Sequence, residues 1–215
     1  MDARKSVAAF CLRLVVLYVL FAAPWPGLAD HYAKGFARCF DYITYDAFIG
    51  YGILGSDAMA RVYPIAGSDL PHDIKLVIGN RRNRALTDRP RTSARHLGFV
   101  PAMVLACLVL ATPVPWRRRA SGLLWGELWI HLFIVIRFAL VLAYAFQGNH
   151  PYSAFSLGPL EARALFIAYD VLAVEPVTSY VVPIFVWIAT VFNGSDLERF
   201  SIMSPVSTDS LLGKE

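Results

Sequence analysis

Six side chains of reactive or ionisable type lie in strongly apolar surroundings: Cys107, Glu127, His131, Arg137, Asp170 and Glu175. A charged group removed from water is costly unless it is paired, so each calls for a partner or a function. Glu127 and His131 are four residues apart and share one helical face. Their order, Glu-x-x-x-His, is not the His-Glu-x-x-His pattern of zinc proteases, and no third ligand follows at suitable spacing, so no metal is expected. Cys107 with His131 and Arg137 would suit a thiol nucleophile with its base. A lone cysteine in an apolar helix is more simply a small hydrophobe, and nothing nearby supplies an oxyanion hole. No catalytic residue, cofactor or metal ligand is therefore assigned. Arg137, Glu175, Asp170, His131 and Glu127 are read as one polar cluster of structural or functional role, with Cys107 as a low-ranked nucleophile.

The elements that must position these groups follow from composition. Of the 215 residues, 57% are hydrophobic and 17% charged, and mean hydropathy is +0.50. Soluble domains carry about 25% charged residues, so a water-facing surface of this size is excluded, as are disorder and disulfide-rich scaffolds. Cys11, Cys39 and Cys107 show no metal-ligand spacing, and no disulfide is expected. Four apolar stretches approach the roughly 20 helical residues that cross a bilayer: Val7–Trp25, Leu97–Val114, Gly122–Phe146 and Ala164–Phe192. The expected fold is a membrane all-α protein with four transmembrane helices. Its divisions are a first helix in 1–29, an extracytoplasmic cap in 30–95, a three-helix membrane region in 96–192, and a polar cytoplasmic tail in 193–215. The first stretch also fits a signal peptide, with Arg4 and Lys5 before the apolar run and Gly27-Leu28-Ala29 as a cleavage site.

Arg4 and Lys5 before the first span and Arg117-Arg118-Arg119 between the second and third place both termini in the cytoplasm of a bacterial inner membrane. The connection 147–162 has no Lys or Arg and lies outside. The segment 30–95 holds ten Lys or Arg and seven Asp; it exceeds the length of about 60 residues over which the positive-inside bias is dependable. Tyr32, Phe36, Cys39, Phe40 and Ile43 recur at helical spacing and predict an amphipathic helix continuing from the first span. A glycine-rich break at Gly50, Gly52 and Gly55 precedes strand-like runs at Arg61–Ile65 and Asp73–Ile78. Gly79-Asn80 fits a turn, and a further extended piece is expected over Thr92–His96. The arginines from Arg81 to Arg95 lack interleaved aromatics, so nucleic acid is excluded as a partner. A solvated strand pair is the simplest reading, with anionic lipid headgroups or a surface polysaccharide as further partners.

At 1.5 Å per residue, Arg137 lies roughly 14 Å below the outer end of the third span and Glu175 roughly 16 Å below that of the fourth. An Arg137–Glu175 ion pair is expected, shared with Asp170. Pro176 also leaves a carbonyl of the preceding turn without a donor, and a guanidinium can supply one. Glu127 lies near enough to the cytoplasmic end to reach toward Arg117–Arg119.

The runs HDIKLVIGNRR from His72, RHLGFVPAMVLACLVLATPVPWRRR from Arg95 and the following LLWGELWIHLFIVIRFALVL complete the reading. Together they resemble the exosortase H-associated membrane proteins, small bacterial proteins that accompany exosortases. The resemblance covers roughly residues 70–145 and rests on Leu-Gly-x-x-Pro, Ala-Thr-Pro-x-Pro-Trp-Arg-Arg-Arg and Leu-x-Trp-Gly. It implies a non-enzymatic membrane accessory of a protein-sorting system, whose partners are the lipid bilayer and an exosortase or its substrates. It transfers no catalytic residues. The alternative is a membrane-embedded enzyme or small transporter that uses Arg137, Glu175 and His131.

Overall fold

The computed structural model describes residues 3–23, 28–45, 49, 57–65, 74–82 and 85–192. The tail from Asn193 and the break at Gly50, Gly52 and Gly55 lie outside the described residues. The chain is mostly helical, with one small antiparallel sheet. In order, the elements are α1 (Ala3–Ala22), α2 (Leu28–Ile43), β1 (Ala58–Pro64), β2 (Ile74–Asn80), β3 (Ala85–Thr92), α3 (Val100–Ala111), α4 (Trp116–Phe146), α5 (Pro159–Tyr169) and α6 (Thr178–Val191). Two π-turns, Arg95–Phe99 and Asp170–Val174, lead into α3 and out of α5.

By length and composition, the four expected spans are not four long apolar helices. Among the described residues, α4 alone is a single helix long and apolar enough to cross a membrane. The apolar parts of the first two, Val7–Ala22 and Arg95–Ala111, are shorter. The fourth is broken: α5 with its π-turn meets α6 at an angle of 82°. The break falls at Glu175-Pro176, where proline has no N–H to offer the turn before it.

α3 lies at the centre of the helices and packs against α1, α4 and α6. Leu105 and Val109 of α3 share the buried core with Ile130, Ile134, Phe138 and Leu142 of α4, and Cys107 is buried on α3 as well. Two glycines one turn apart on α4 make the α3 and α6 contacts close. A Cβ on Gly126 would stand 2.8 Å from Leu105 Cδ2, and one on Gly122 would stand 2.9 Å from Val191 Cγ2. At the end of the bundle where α3 gives way to α4, the Trp187 indole N–H donates to Thr112 Oγ1 at 2.8 Å. Phe10 stacks on the same indole with ring centroids 5.9 Å apart, so α1, α3 and α6 are tied together there.

The cap forms at the opposite end. α2 is amphipathic as the sequence predicts and buries Ala33, Phe36, Ala37 and Phe40, while Cys39 is exposed. Phe40 reaches Phe138 of α4 at 4.4 Å between centroids, which anchors the cap helix on the bundle. The sheet has the order β1-β2-β3 and is antiparallel throughout. Ala58, Ala60 and Val62 of β1 and Ile74, Leu76 and Ile78 of β2 alternate inward, the period-two pattern of a sheet with one covered face.

The expected third extended piece over Thr92–His96 is displaced. The strand runs earlier, over Ala85–Thr92, and Arg95–Phe99 is helical. Likewise Gly79 and Asn80 end β2, and the turn follows at Arg81 and Arg82. Pro90 lacks the N–H for a ladder bond, and the pairing of β2 with β3 shifts register between Ile74 and Leu76, opposite it. The arginine-rich segment is therefore the edge hairpin of the sheet. Asn80 Nδ2 donates to the Ser153 carbonyl at 2.8 Å, joining the sheet to the connection between α4 and α5.

Asp41 at the end of α2 fixes the sheet to its helix. One carboxylate oxygen takes a 2.9 Å ion pair from Arg61 and the other accepts the Val62 N–H at 3.1 Å. The ion pair is solvent-facing and contributes little, so the backbone bond decides the effect. Asp41→Ala is expected to lower stability by about 1–2 kcal/mol in denaturant unfolding. Arg61→Ala is expected to cost less than half as much, and equal losses would show that the ion pair dominates.

Candidate functional site

The predicted polar groups do not form one cluster. Arg137 is 1% exposed and is the largest side chain buried almost completely among the described residues. Its guanidinium lies at the junction of α4, the Arg95–Phe99 turn and the start of α6. Nη1 donates to the His96 carbonyl at 3.1 Å, to the Leu97 carbonyl at 3.2 Å and to Ser179 Oγ at 2.8 Å. Nη2 donates to the Ala173 carbonyl at 3.4 Å. Ser179 Oγ in turn donates to the His96 carbonyl at 3.0 Å. Phe133, one turn earlier on α4, places its ring 5.4 Å below the guanidinium carbon.

Proline explains why those carbonyls are available. In an α-helix the Leu97 carbonyl would receive the N–H of residue 101, and in the π-turn that precedes it the His96 carbonyl would receive the same N–H. Residue 101 is proline, so neither bond can form. At Pro176 the missing N–H is the one that would serve the Val171 carbonyl in the π-turn, and the end of the helix there leaves the Ala173 carbonyl open as well. The Val171 carbonyl takes the Thr178 hydroxyl at 2.6 Å, and the Ala173 carbonyl takes Arg137. Ala173 also sits at the C-terminal end of the α5 segment, where the helix dipole favours a cation. A planar fork with five N–H donors is suited to bridging carbonyls that point inward from two broken helices.

The expected Arg137–Glu175 ion pair is not formed. Glu175 is exposed, Asp170 is half-buried, and neither contacts the guanidinium. Equal depth along two helices does not set the direction in which side chains point, and the bend at Pro176 turns Glu175 outward. The other half of the proline argument holds, since an arginine does supply a carbonyl of the broken turn. Pro101 was not read in this way from the sequence, although Leu97-x-x-x-Pro101 carries the same signal.

Glu127 and His131 do share a helical face. The imidazole Nδ1 lies 2.7 Å from the Glu127 carbonyl and 3.6 Å from its carboxylate. Glu127 thus engages His131, whereas a reach toward Arg117–Arg119 was expected. His131 is exposed and Cys107 is 1% exposed inside α3, so the thiol and the imidazole are not brought together. Among the described residues no group of three or more His, Cys, Asp or Glu gathers as a metal site.

The feature that sequence reasoning missed is the glycine pair. Gly122-Leu-Leu-Trp-Gly126 is a Gly-x-x-x-Gly motif, a pattern that lets helix backbones approach closely in membranes. Here the motif is occupied within the chain, by α3 and α6. Arg137 and the glycine pair thus fasten the same helices at two levels, one by hydrogen bonds and the other by contact. Compared with known protein families, curated proteins and solved structures, the chain matches none of them.

Proposed function

We propose that this chain is a multi-pass protein of a bacterial inner membrane that serves as a non-enzymatic accessory of exosortase-linked protein sorting. The observation that carries the non-enzymatic part is the engagement of Arg137. Its guanidinium is spent on backbone carbonyls and Ser179, and so acts as a lock between helices. A charge kept for substrate or for proton transfer needs an approach and a titrating partner, and this one faces carbonyls in the packed interior.

Membrane embedding is supported by the outer surface of the bundle. Leu124, Trp125, Leu128, Trp129, Leu132 and Ile136 are exposed along α4, Val15, Val16 and Val19 along α1, and Phe185 on α6. An apolar surface of this extent suits lipid or another membrane helix rather than water. In this reading α1, α3, α4 and the bent α5–α6 unit are the four membrane elements. α3 is enclosed by α1, α4 and α6, so its short length is not matched to lipid directly. The cap and the 147–158 connection share one end of the bundle and Arg117–Arg119 the other, which agrees with cytoplasmic termini and an external cap.

The exosortase link rests on the sequence resemblance over roughly residues 70–145. The test is co-expression of the tagged chain with an exosortase, alkaline extraction of the membranes, and purification in mild detergent. The chain is expected to stay in the extracted membranes and to recover the exosortase. Loss of the chain on alkaline extraction would overturn the membrane assignment. Its retention without any exosortase would overturn the accessory role.

A further inference from the structure

At the end of the bundle that carries the cap, α1, the start of α3 with its π-turn, and the start of α6 enclose a cavity of about 170 Å³. It is lined by Tyr18 and Ala22 of α1, by Arg95, His96, Phe99, Val100 and Met103 of the second element, and by Tyr180 of α6. The lining is divided by chemistry. Arg95 and His96 are solvent-exposed and form a cationic and hydrogen-bonding rim, whereas Phe99, Val100, Met103 and Ala22 form an apolar wall. Among the described residues, neither Asp nor Glu lines it. Tyr18, Tyr180 and Arg95 line the same cavity, which puts two phenol hydroxyls and a guanidinium around one small volume.

We propose that this cavity holds the phosphate of an anionic lipid headgroup. The proposal rests on the membrane reading above, because it places the site at the outer polar–apolar boundary, where tyrosines concentrate. A guanidinium and phenol O–H groups lining one cavity match phosphate oxygens, which favour charge-assisted donors. The apolar wall matches the start of an acyl or glycerol tail, and exposed apolar residues continue along both flanking helices, Val19 and Val15 on α1 and Ile184 and Ile188 on α6. The volume falls below the roughly 300 Å³ at which pockets for whole small molecules begin, so a headgroup enters and the tail stays outside. A surface polysaccharide would have no use for the apolar wall. Among the described residues that line the cavity, none is a carboxylate that would meet the cation of a choline headgroup.

The experiment titrates delipidated full-length protein in neutral detergent with short-chain phosphatidylglycerol, phosphatidylcholine or inorganic phosphate, and reads bound molecules by native mass spectrometry. One phosphatidylglycerol per chain is expected, held at least about tenfold more tightly than phosphatidylcholine or phosphate. Arg95→Gln is expected to weaken that binding about tenfold, and Tyr18→Phe, which keeps the ring, severalfold. Arg117→Gln at the opposite end is expected to leave it unchanged. Unchanged binding in both Arg95→Gln and Tyr18→Phe, with their thermal unfolding at the wild-type temperature, would overturn the proposal. Inorganic phosphate bound as tightly as the lipid would overturn the lipid as its source. Alkaline extraction of wild-type membranes tests the membrane reading separately, so the two failures are distinguishable.

Discussion

Replacing Arg137 with leucine is expected to destabilise the chain more than any other single change to its ionisable residues. The substitution leaves the carbonyls of Leu97 and Ala173 facing the interior with no donor and the His96 carbonyl with the Ser179 hydroxyl alone. Pro101 has no N–H to offer Leu97 or His96, and the helix ends just beyond Ala173. An unsatisfied buried carbonyl costs about 1–3 kcal/mol, so two give a loss of about 2–6 kcal/mol. Removing the guanidinium also removes its desolvation cost, which places the expected loss near the low end, at about 3 kcal/mol. Arg137→Lys keeps a charge but not the fork, and is expected to recover less than half of that. Thermal unfolding in detergent, with protease cleavage near Pro176 as a second readout, measures the effect. Glu175→Gln serves as the contrast. Because Glu175 is exposed and does not touch the arginine, its change is expected to stay within about 0.5 kcal/mol. Similar losses for the two variants would restore the ion pair and remove the carbonyl account.

The second large effect is expected from the glycine pair. Leucine at Gly126 must displace Leu105, and leucine at Gly122 must displace Val191, since even a Cβ would stand under 3 Å from each. Both neighbours are buried in the packed seam, so the helices rather than the side chains have to give way. Overpacking of this kind costs about 1–3 kcal/mol per site, and the double variant Gly122→Leu/Gly126→Leu is expected to separate α3 and α6 from α4. Single alanine variants should lose less, because leucine and valine methyls can shift by a few tenths of an ångström. Disulfide trapping between cysteines introduced at Leu105 and Gly126 reports the α3–α4 seam directly in an otherwise cysteine-free background. If the leucine double variant dimerised less than wild type while keeping its intrachain contacts, the motif would serve association between copies of the chain.

Much of the arrangement is legible in particular residues. The spacing of Phe36 and Phe40 with the small Ala33 and Ala37 declares the buried face of α2. The alternation in Ile74, Leu76 and Ile78 declares a half-covered strand. The proline at 176 announces carbonyls in need of donors, and Thr178 supplies the one at Val171 and Arg137 the one at Ala173. Less legible was the arginine-rich segment. A run with Pro90 and many charges lacks the apolar alternation of a core strand, and only pairing with β2 makes β3 of it. The glycine pair in α4 was visible as a motif but not as an intrachain seat, because its partners Leu105 and Val191 are far away in sequence.

The sequence by itself determined the low charge content, the concentration of charges in a cap, the apolar helices and the need for buried Arg137 to find partners. Those properties depend on local composition and on periodicity, which a single chain displays without folding. Only the tertiary structure decided which partners Arg137 has. Depth along a helix follows from residue counting, but direction around its axis depends on how α3, α4 and α6 pack. A bend of 82° at Pro176 then turns Glu175 away from the bundle. The packing that seats Leu105 on Gly126 and Val191 on Gly122 brings the carbonyls of one proline break beside those of the other. A guanidinium meets both because backbone carbonyls freed inside a packed interior must be satisfied, and here Arg137 is buried among them.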